Sequence, residues 1–132
     1  RAENILAPGS GKNMGDGWET RRSRGKNFDW LILRCATEGE ISKIQIDTHH
    51  FKGNYPDKCS LQAAYLKGKV KNNDIVKKSK KWKLLLKKVK LYAHKKHNFK
   101  NNLMKNKKIN YIRSNIFPDG GISRIRAFGK IN

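Results

Sequence analysis

Ile109-Asn110-Tyr111-Ile112-Arg113-Ser114-Asn115-Ile116-Phe117-Pro118-Asp119-Gly120-Gly121-Ile122-Ser123-Arg124-Ile125-Arg126-Ala127-Phe128 is the stretch on which the fold depends. Two runs rich in isoleucine and aromatics, residues 109–117 and 122–128, flank Pro118-Asp119-Gly120-Gly121. Proline fixes φ, aspartate bonds to nearby backbone and glycine reaches φ values closed to other residues, so the tetrapeptide carries turn chemistry. The spacing predicts a β-hairpin. A symmetric turn would set Ile112 opposite Ala127, Ser114 opposite Ile125 and Ile116 opposite Ser123 on a mostly apolar face. Arg113 would then meet Arg126, and Asn115 would meet Arg124. Two directly opposed arginines repel unless an anion lies between them, so that face reads as an ion-paired patch or an anion site. A slip of one residue would exchange the faces.

The rest of the chain reads as further short strands. Trp30-Leu31-Ile32-Leu33 is an apolar run suited to a buried strand. Glu38-Gly39-Glu40 reads as a turn. Residues 41–48 alternate, with Ile44 and Ile46 on one face and Lys43, Gln45 and Asp47 on the other. Residues 52–57 read as a loop and residues 59–66 as a strand. Residues 1–29 read as loop with little regular structure, and residues 67–81 and 100–108 as lysine-rich surface connections. Residues 82–93 fit two patterns: Trp82, Leu85, Leu86, Val89 and Ala93 at helical spacing, or Trp82, Leu84 and Leu86 at strand spacing. Short strands with turn signals and no dependable helix point to an all-β sandwich.

A chain of 132 residues suits a single domain over residues 1–132. Its 36% hydrophobic content is enough for a real core. No apolar run approaches the length of a membrane span, and no secretory core or terminal address is present, so a cytoplasmic location is expected. Arg1 in first position reads as a fragment or a processed chain. Cys35 and Cys59 lack the paired spacing of a metal knuckle and read as two reduced thiols. The net charge of +21 points toward polyanions. Its distribution favours a plainer reading. Residues 67–108 hold seventeen lysines, no arginine and one acid, Asp74, and the chain is also rich in Asn and Ile. These are residues of AT-rich codons, so the charge is read as compositional bias and nucleic acid as an unfavoured partner.

Taken singly, the chemistry-bearing residues are ambiguous. His49 and His50 follow a strand and can titrate near neutrality. His94 and His97 stand at i, i+3 but lack a third ligand, so no metal is expected. Asp16, Glu19 and Asp47 are carboxylates of ordinary type. Phosphate-loop, nucleophile-elbow and dinucleotide motifs are absent.

Four segments together resemble the allantoicase family. They are Leu6-Ala7-Pro8-Gly9 leading into Met14-Gly15-Asp16-Gly17-Trp18-Glu19-Thr20-Arg21-Arg22-Ser23-Arg24; Phe28-Asp29-Trp30; Asp47-Thr48-His49-His50-Phe51-Lys52-Gly53-Asn54-Tyr55-Pro56; and Arg113 to Gly121 with Ser123-Arg124-Ile125-Arg126. They lie in the family's order and span the chain. The resemblance implies a jelly-roll β-sandwich of the galactose-binding, discoidin-like type, and it resolves residues 82–93 as strand. It implies a two-domain enzyme, of which this chain is similar to the C-terminal domain. It also implies hydrolysis of allantoate to ureidoglycolate and urea in purine degradation; no cofactor is expected, and assembly as a homo-oligomer is. Residue chemistry at the matching positions makes Glu19, Asp47 and His50 the acid–base candidates. Arg21, Arg22, Arg113 and Arg124 can clamp the substrate carboxylate, Asn115 can meet a ureido group, and Trp18 can wall the pocket. One departure stands out. Where the family has Leu-Leu-Pro-Arg-Thr after Trp82, this chain has Leu85-Leu86-Lys87-Lys88-Val89, and Lys88 keeps the charge of the arginine without its fork. The alternative reading is a non-catalytic discoidin-like binding or scaffold domain derived from an allantoicase.

Overall fold

The computed structural model describes residues 20–24, 29–48, 56–118, 122 and 124–131, the first segment as backbone alone. Seven strands and one short helix follow in order: β1 (Thr20–Arg24), β2 (Asp29–Asp47), β3 (Lys58–Ala64), α1 (Asn72–Ser79), β4 (Lys83–Lys90), β5 (Lys96–Phe99), β6 (Ile109–Phe117) and β7 (Arg124–Ile131). They form one curled sheet ordered β1-β2-β6-β3-β4, with β5 and β7 added to β2.

β2 makes this a two-layer sandwich. Residues 29–34 pair with β1 and β6, whereas residues 39–47 pair with β7 and, at their end, with β5. The register is broken between Arg34 and Gly39, where the strand passes from one layer to the other. The expected turn at Glu38-Gly39-Glu40 is therefore a bend within a strand of nineteen residues. The glycine signal was real, but the chain crosses between layers there instead of reversing.

Strands β6 and β7 do not form the expected hairpin. β6 lies between β2 and β3, with both its edges hydrogen-bonded, and β7 pairs with the far half of β2. Arg113 stands opposite Ile32 and Gln62, and Arg126 opposite Gln45. Turn chemistry between two strands serves a crossing between layers as well as a tight reversal, and local sequence does not separate the two. Residues 119–121 themselves lie outside the described residues.

The layers meet across one apolar core. Leu31, Leu33, Cys59, Leu61, Leu85, Leu86 and Ile112 of the larger layer pack with Ile44, Ile46, Ile125 and Ala127 of the smaller. Alternation turns Ile44 and Ile46 inward, as their spacing predicts. Cys35 and Cys59 are free and buried, and burial pushes each thiol up to about 12, where it is an inert apolar side chain.

Two further expectations are corrected. Thr20–Arg24 is a strand, not loop. The 67–81 segment contains α1, whose Ile75 packs with Ile32 and Tyr111 on the outer face of the larger layer. Only Ile75 and Val76 are apolar in the helix, and Lys71 at its start provides no side-chain cap. So short a helix is not stable alone and depends on this packing; that is why its sequence resembles a surface loop. Residues 83–90 are strand, as the family resemblance implies and the helical count does not.

The register also fixes which ends meet. Leu91 N–H donates to the Asp57 carbonyl, and Lys58 pairs with both Lys90 and Phe117. Thr48 Oγ1 donates to the carbonyl of Tyr92, next to Leu91. The two ends of β2 therefore return to the same end of the sandwich, beside the end of β6.

At the bend, Gly129 lies against the backbone of the first strand residues beyond it. A Cβ at Gly129 would stand 1.8 Å from the carbonyl oxygen of Glu40. Gly129→Ala is expected to destabilise by roughly 2 kcal/mol or more. That corresponds to a fall of about 7 °C in the thermal midpoint for a domain of this size, measurable by circular dichroism; an unchanged midpoint would show that β7 does not lie so close.

Candidate functional site

Alternation along β6 gives it two unlike faces. Ile112, Ser114 and Ile116 face the core; Tyr111, Arg113 and Asn115 face outward, toward α1 and Trp30. The outer face holds a ring of hydrogen bonds that is closed through the backbone from Ser79 to Lys80. Gln62 Nε2 donates to the carbonyls of Lys80 and Trp82, at 3.2 and 2.9 Å, which fixes its amide orientation. Its Oε1 accepts from Asn115 Nδ2 at 3.0 Å, and the same Nδ2 donates to Ser60 Oγ at 3.3 Å. Asn115 Oδ1 accepts from Arg113 Nε at 2.9 Å. Arg113 Nη1 donates to Ser79 Oγ at 2.8 Å, and Ser79 donates in turn to the Val76 carbonyl at 2.6 Å. The guanidinium carbon lies 4.8 Å from the centre of the Trp30 ring.

Arg113 is only 4% exposed. Burial pushes its pKa down from its ordinary value, yet a guanidinium stays cationic. Among the described residues no carboxylate lies within ion-pair distance of it; the ion pairs there are Lys90–Asp57 and Lys108–Glu38. A buried charge without a counter-charge costs several kcal/mol, and stacking on Trp30 offsets about 1–2 kcal/mol of that. Among the described residues, Nε and one N–H of Nη1, two of its five N–H groups, are engaged. The donors that have no partner among the described residues, and a charge that has no counter-ion there, suit a planar anion.

The other candidates fall into separate places. Arg21 stands opposite Ile32 and so shares a register row with Arg113, while Arg22 stands in the row of Leu31 and Ser114. Arg124 is not near Arg113 in the sheet: it stands opposite Asp47, on the smaller layer. Asp47 is buried and flanked by Arg124 on β7 and Lys96 on β5, an opposite-charge arrangement that stabilises adjacent strands. The structure therefore groups Arg113 with Asn115 on one outer face, and Asp47 with Arg124 on the other. Asn115 spends both N–H bonds and one acceptor position on protein partners, which makes it an orienting group for Arg113. Trp18, Glu19 and His50 lie outside the described residues. Thr20, which follows Glu19, is one row from Arg113, and Thr48, which precedes the segment holding His50, lies at the end where β2 and β6 meet.

Sequence reasoning missed Trp30, Ser60, Gln62 and Ser79. The alternation of Cys59 and Leu61 with Ser60 and Gln62 marks a polar face on β3, but nothing local names its partner. Lys88 lies at the β6 end of β4, its ammonium 4.0 Å from the centre of the Phe117 ring. Two surface hollows, of about 290 and 630 Å³, lie toward the opposite end of the sandwich around Lys105-Asn106-Lys107 and contain none of the predicted site residues.

The comparisons with known proteins agree with this architecture. The sequence model of the allantoicase repeat matches residues 1–132. The chain belongs to the allantoicase family. It is 50% identical over 131 residues to a probable allantoicase of Stutzerimonas stutzeri and 48% identical over 131 residues to probable allantoicase 1 of Burkholderia mallei. Each match covers 99% of this chain and 39% of the relative, so the chain spans about two fifths of the length of these curated relatives. The crystal structure of allantoicase from Saccharomyces cerevisiae superposes with a TM-score of 0.66 at 34% identity, over 96% of this chain and 35% of that one. A fucolectin from striped bass superposes with a TM-score of 0.60 at 9% identity, over 98% of this chain and 41% of that one, a likeness of fold alone. The allantoicase domain is thus a galactose-binding-like jelly roll.

His94 and His97 are not a metal pair. His94 is exposed in a turn with φ 49°, and His97 is buried on β5. Nε2 of His97 accepts the Tyr92 N–H at 2.8 Å, which places the ring proton on Nδ1, 3.0 Å from the Ile46 carbonyl. Burial lowers its pKa below the ordinary 6.5, outweighing the bond to Ile46. The unfolded chain therefore takes up a proton at higher pH than the folded one. Stability is full above about pH 6.5 and is lost as pH falls through the folded pKa. The thermal midpoint is expected to drop between about pH 7 and pH 5.5, and to drop less in His97→Gln; equal slopes in the two proteins would refute this role.

Proposed function

We propose that this domain forms part of an enzyme that hydrolyses allantoate to ureidoglycolate and urea, and that Arg113 receives the substrate carboxylate. The observation that carries the reading is the buried guanidinium: its charge lacks a counter-ion among the described residues, its plane is fixed by Asn115 and Ser79, and the domain belongs to the allantoicase family. Allantoate carries one carboxylate and two ureido groups on a single carbon. Hydrolysis forms a bond from the water oxygen to that carbon and breaks one carbon–nitrogen bond. The electron pair leaves on nitrogen, which takes up a proton as urea departs, while a base accepts a proton from the water. Glu19 and His50 are the first candidates for these two proton transfers; Asp47, which stands beside Arg124 on the other layer, is a secondary one. Arg21 shares the register row of Arg113 and is its proposed companion at the carboxylate. Arg22 and Arg124 are secondary candidates, since the fold places them on other rows and another layer. Trp18 is proposed as a wall of the pocket. Asn115 is proposed to act through Arg113.

The intact protein is proposed to carry a second allantoicase-like domain, with this one at its C-terminal side and with assembly into a homo-oligomer in the cytoplasm. The relatives' greater length supports the second domain. The reading as a non-catalytic scaffold is favoured only by Lys87-Lys88-Val89, where the family pattern has proline, arginine and threonine.

The test is urea release from allantoate by the intact protein and by its Arg113→Lys and Glu19→Gln variants. A lysine at 113 keeps the charge and loses the fork, so kcat/KM is expected to fall about 10- to 100-fold. Loss of an acid–base group at 19 is expected to lower kcat by about 100-fold or more. Undiminished turnover in both variants would end the assignment.

A further inference from the structure

We propose that helix α1 is the positioning element of the anion site and that Ser79, its last residue, is the positioning residue that sets the plane of Arg113. The proposal rests on the carboxylate reading of Arg113 and addresses what holds that guanidinium in place.

Ser79 is fully buried. It lies four residues after Ile75, on the same inward stripe of the helix. A helix serving only as a cover would gain most from an apolar side chain at this position, packed beside Ile75 against Ile32 and Tyr111. A serine forgoes that burial. Its single proton goes to the Val76 carbonyl at 2.6 Å, so toward Arg113 it presents lone pairs only. A guanidinium held at Nε alone can still rotate about its bonds toward the side chain's root. Held at Nε by Asn115 and at Nη1 by Ser79, and stacked on Trp30, its plane is defined.

The ring of bonds ties this geometry to the helix a second time. Gln62 takes its orientation from the carbonyls of Lys80 and Trp82, just past the helix end, and passes it through Asn115 to Arg113. Both arms that hold Arg113 therefore start in the same turn of chain. The hydrogen bonds run in one sense in each arm.

The experiment compares Ser79→Ala, Gln62→Met, Arg113→Met and the Ser79→Ala/Arg113→Met double variant in the intact protein, with kcat and KM for allantoate measured separately. Circular dichroism and the thermal midpoint show that each variant is folded. Ser79→Ala is expected to raise KM about tenfold, as loss of one hydrogen bond to a charged group implies. Its kcat is expected to stay within about twofold, because ground-state and transition-state binding are lost together. In the Arg113→Met background the same substitution is expected to change nothing further. Equal KM increases in both backgrounds overturn the proposal, because Ser79 would then act independently of Arg113. A raised KM in Arg113→Met with an unchanged KM in Ser79→Ala overturns it too, and leaves the carboxylate reading intact. An unchanged KM in Arg113→Met overturns the carboxylate reading and this inference with it. Should Ser79→Ala fail to fold, Gln62→Met opens the ring from the other arm. It is expected to raise KM by a similar factor, and an unchanged KM there overturns the proposal.

Discussion

Strand β2 runs for nineteen residues and pairs with four other strands, and the position of the sheet's other strands follows from that. A strand this long could not stay in one flat layer of so small a domain without leaving much of its length unpaired. The break in register between Arg34 and Gly39 lets the backbone turn the corner with its polar groups satisfied on both sides of the bend. One half then builds the larger layer with β6 and β1; the other builds the smaller with β5 and β7. Because the strand turns back, Asp29 and Asp47 come to the same end of the molecule, and the two isoleucine-rich faces close on each other.

The same geometry decides what the polar residues can do. On β6, every second residue faces the core, which leaves Arg113 and Asn115 on the outer side under α1. A buried cation there is costly, and a ring through Gln62, Asn115 and Ser79 holds it in one orientation. On the smaller layer, Asp47 stands in register between Arg124 and Lys96, a carboxylate between two cations. The first group holds a buried cation that has no carboxylate partner among the described residues, with fixed donors; the second has a carboxylate with cationic residues opposite it on both neighbouring strands. These are different chemical environments on opposite faces, although the residues that make them come from strands that share β2.

The seventeen lysines of residues 67–108 are all exposed, and several line β4. β4 is the edge of the larger layer, and charged side chains along an edge strand discourage pairing with another chain. Lysine enrichment is thus tolerated where the fold needs solvated residues, and it helps keep the exposed edge unpaired.

By itself, the sequence determined the all-β class, the shared face of residues 44 and 46, the two free thiols and membership of the allantoicase family. Each is a matter of short-range alternation, composition or rare strings of residues. Tertiary structure alone decided that the two isoleucine-rich runs belong to different layers, that Glu38-Gly39-Glu40 bends a strand instead of ending it, and that a lysine-rich stretch contains a helix. It also decided that Arg113 has Ser79 and Asn115 as partners, and Arg124 has Asp47. Those outcomes depend on which backbone edge each strand finds and, for Ser79 with Arg113, on side chains that meet across 34 residues of chain. Local pattern fixes the face a residue presents; only the closed sheet fixes what lies opposite it.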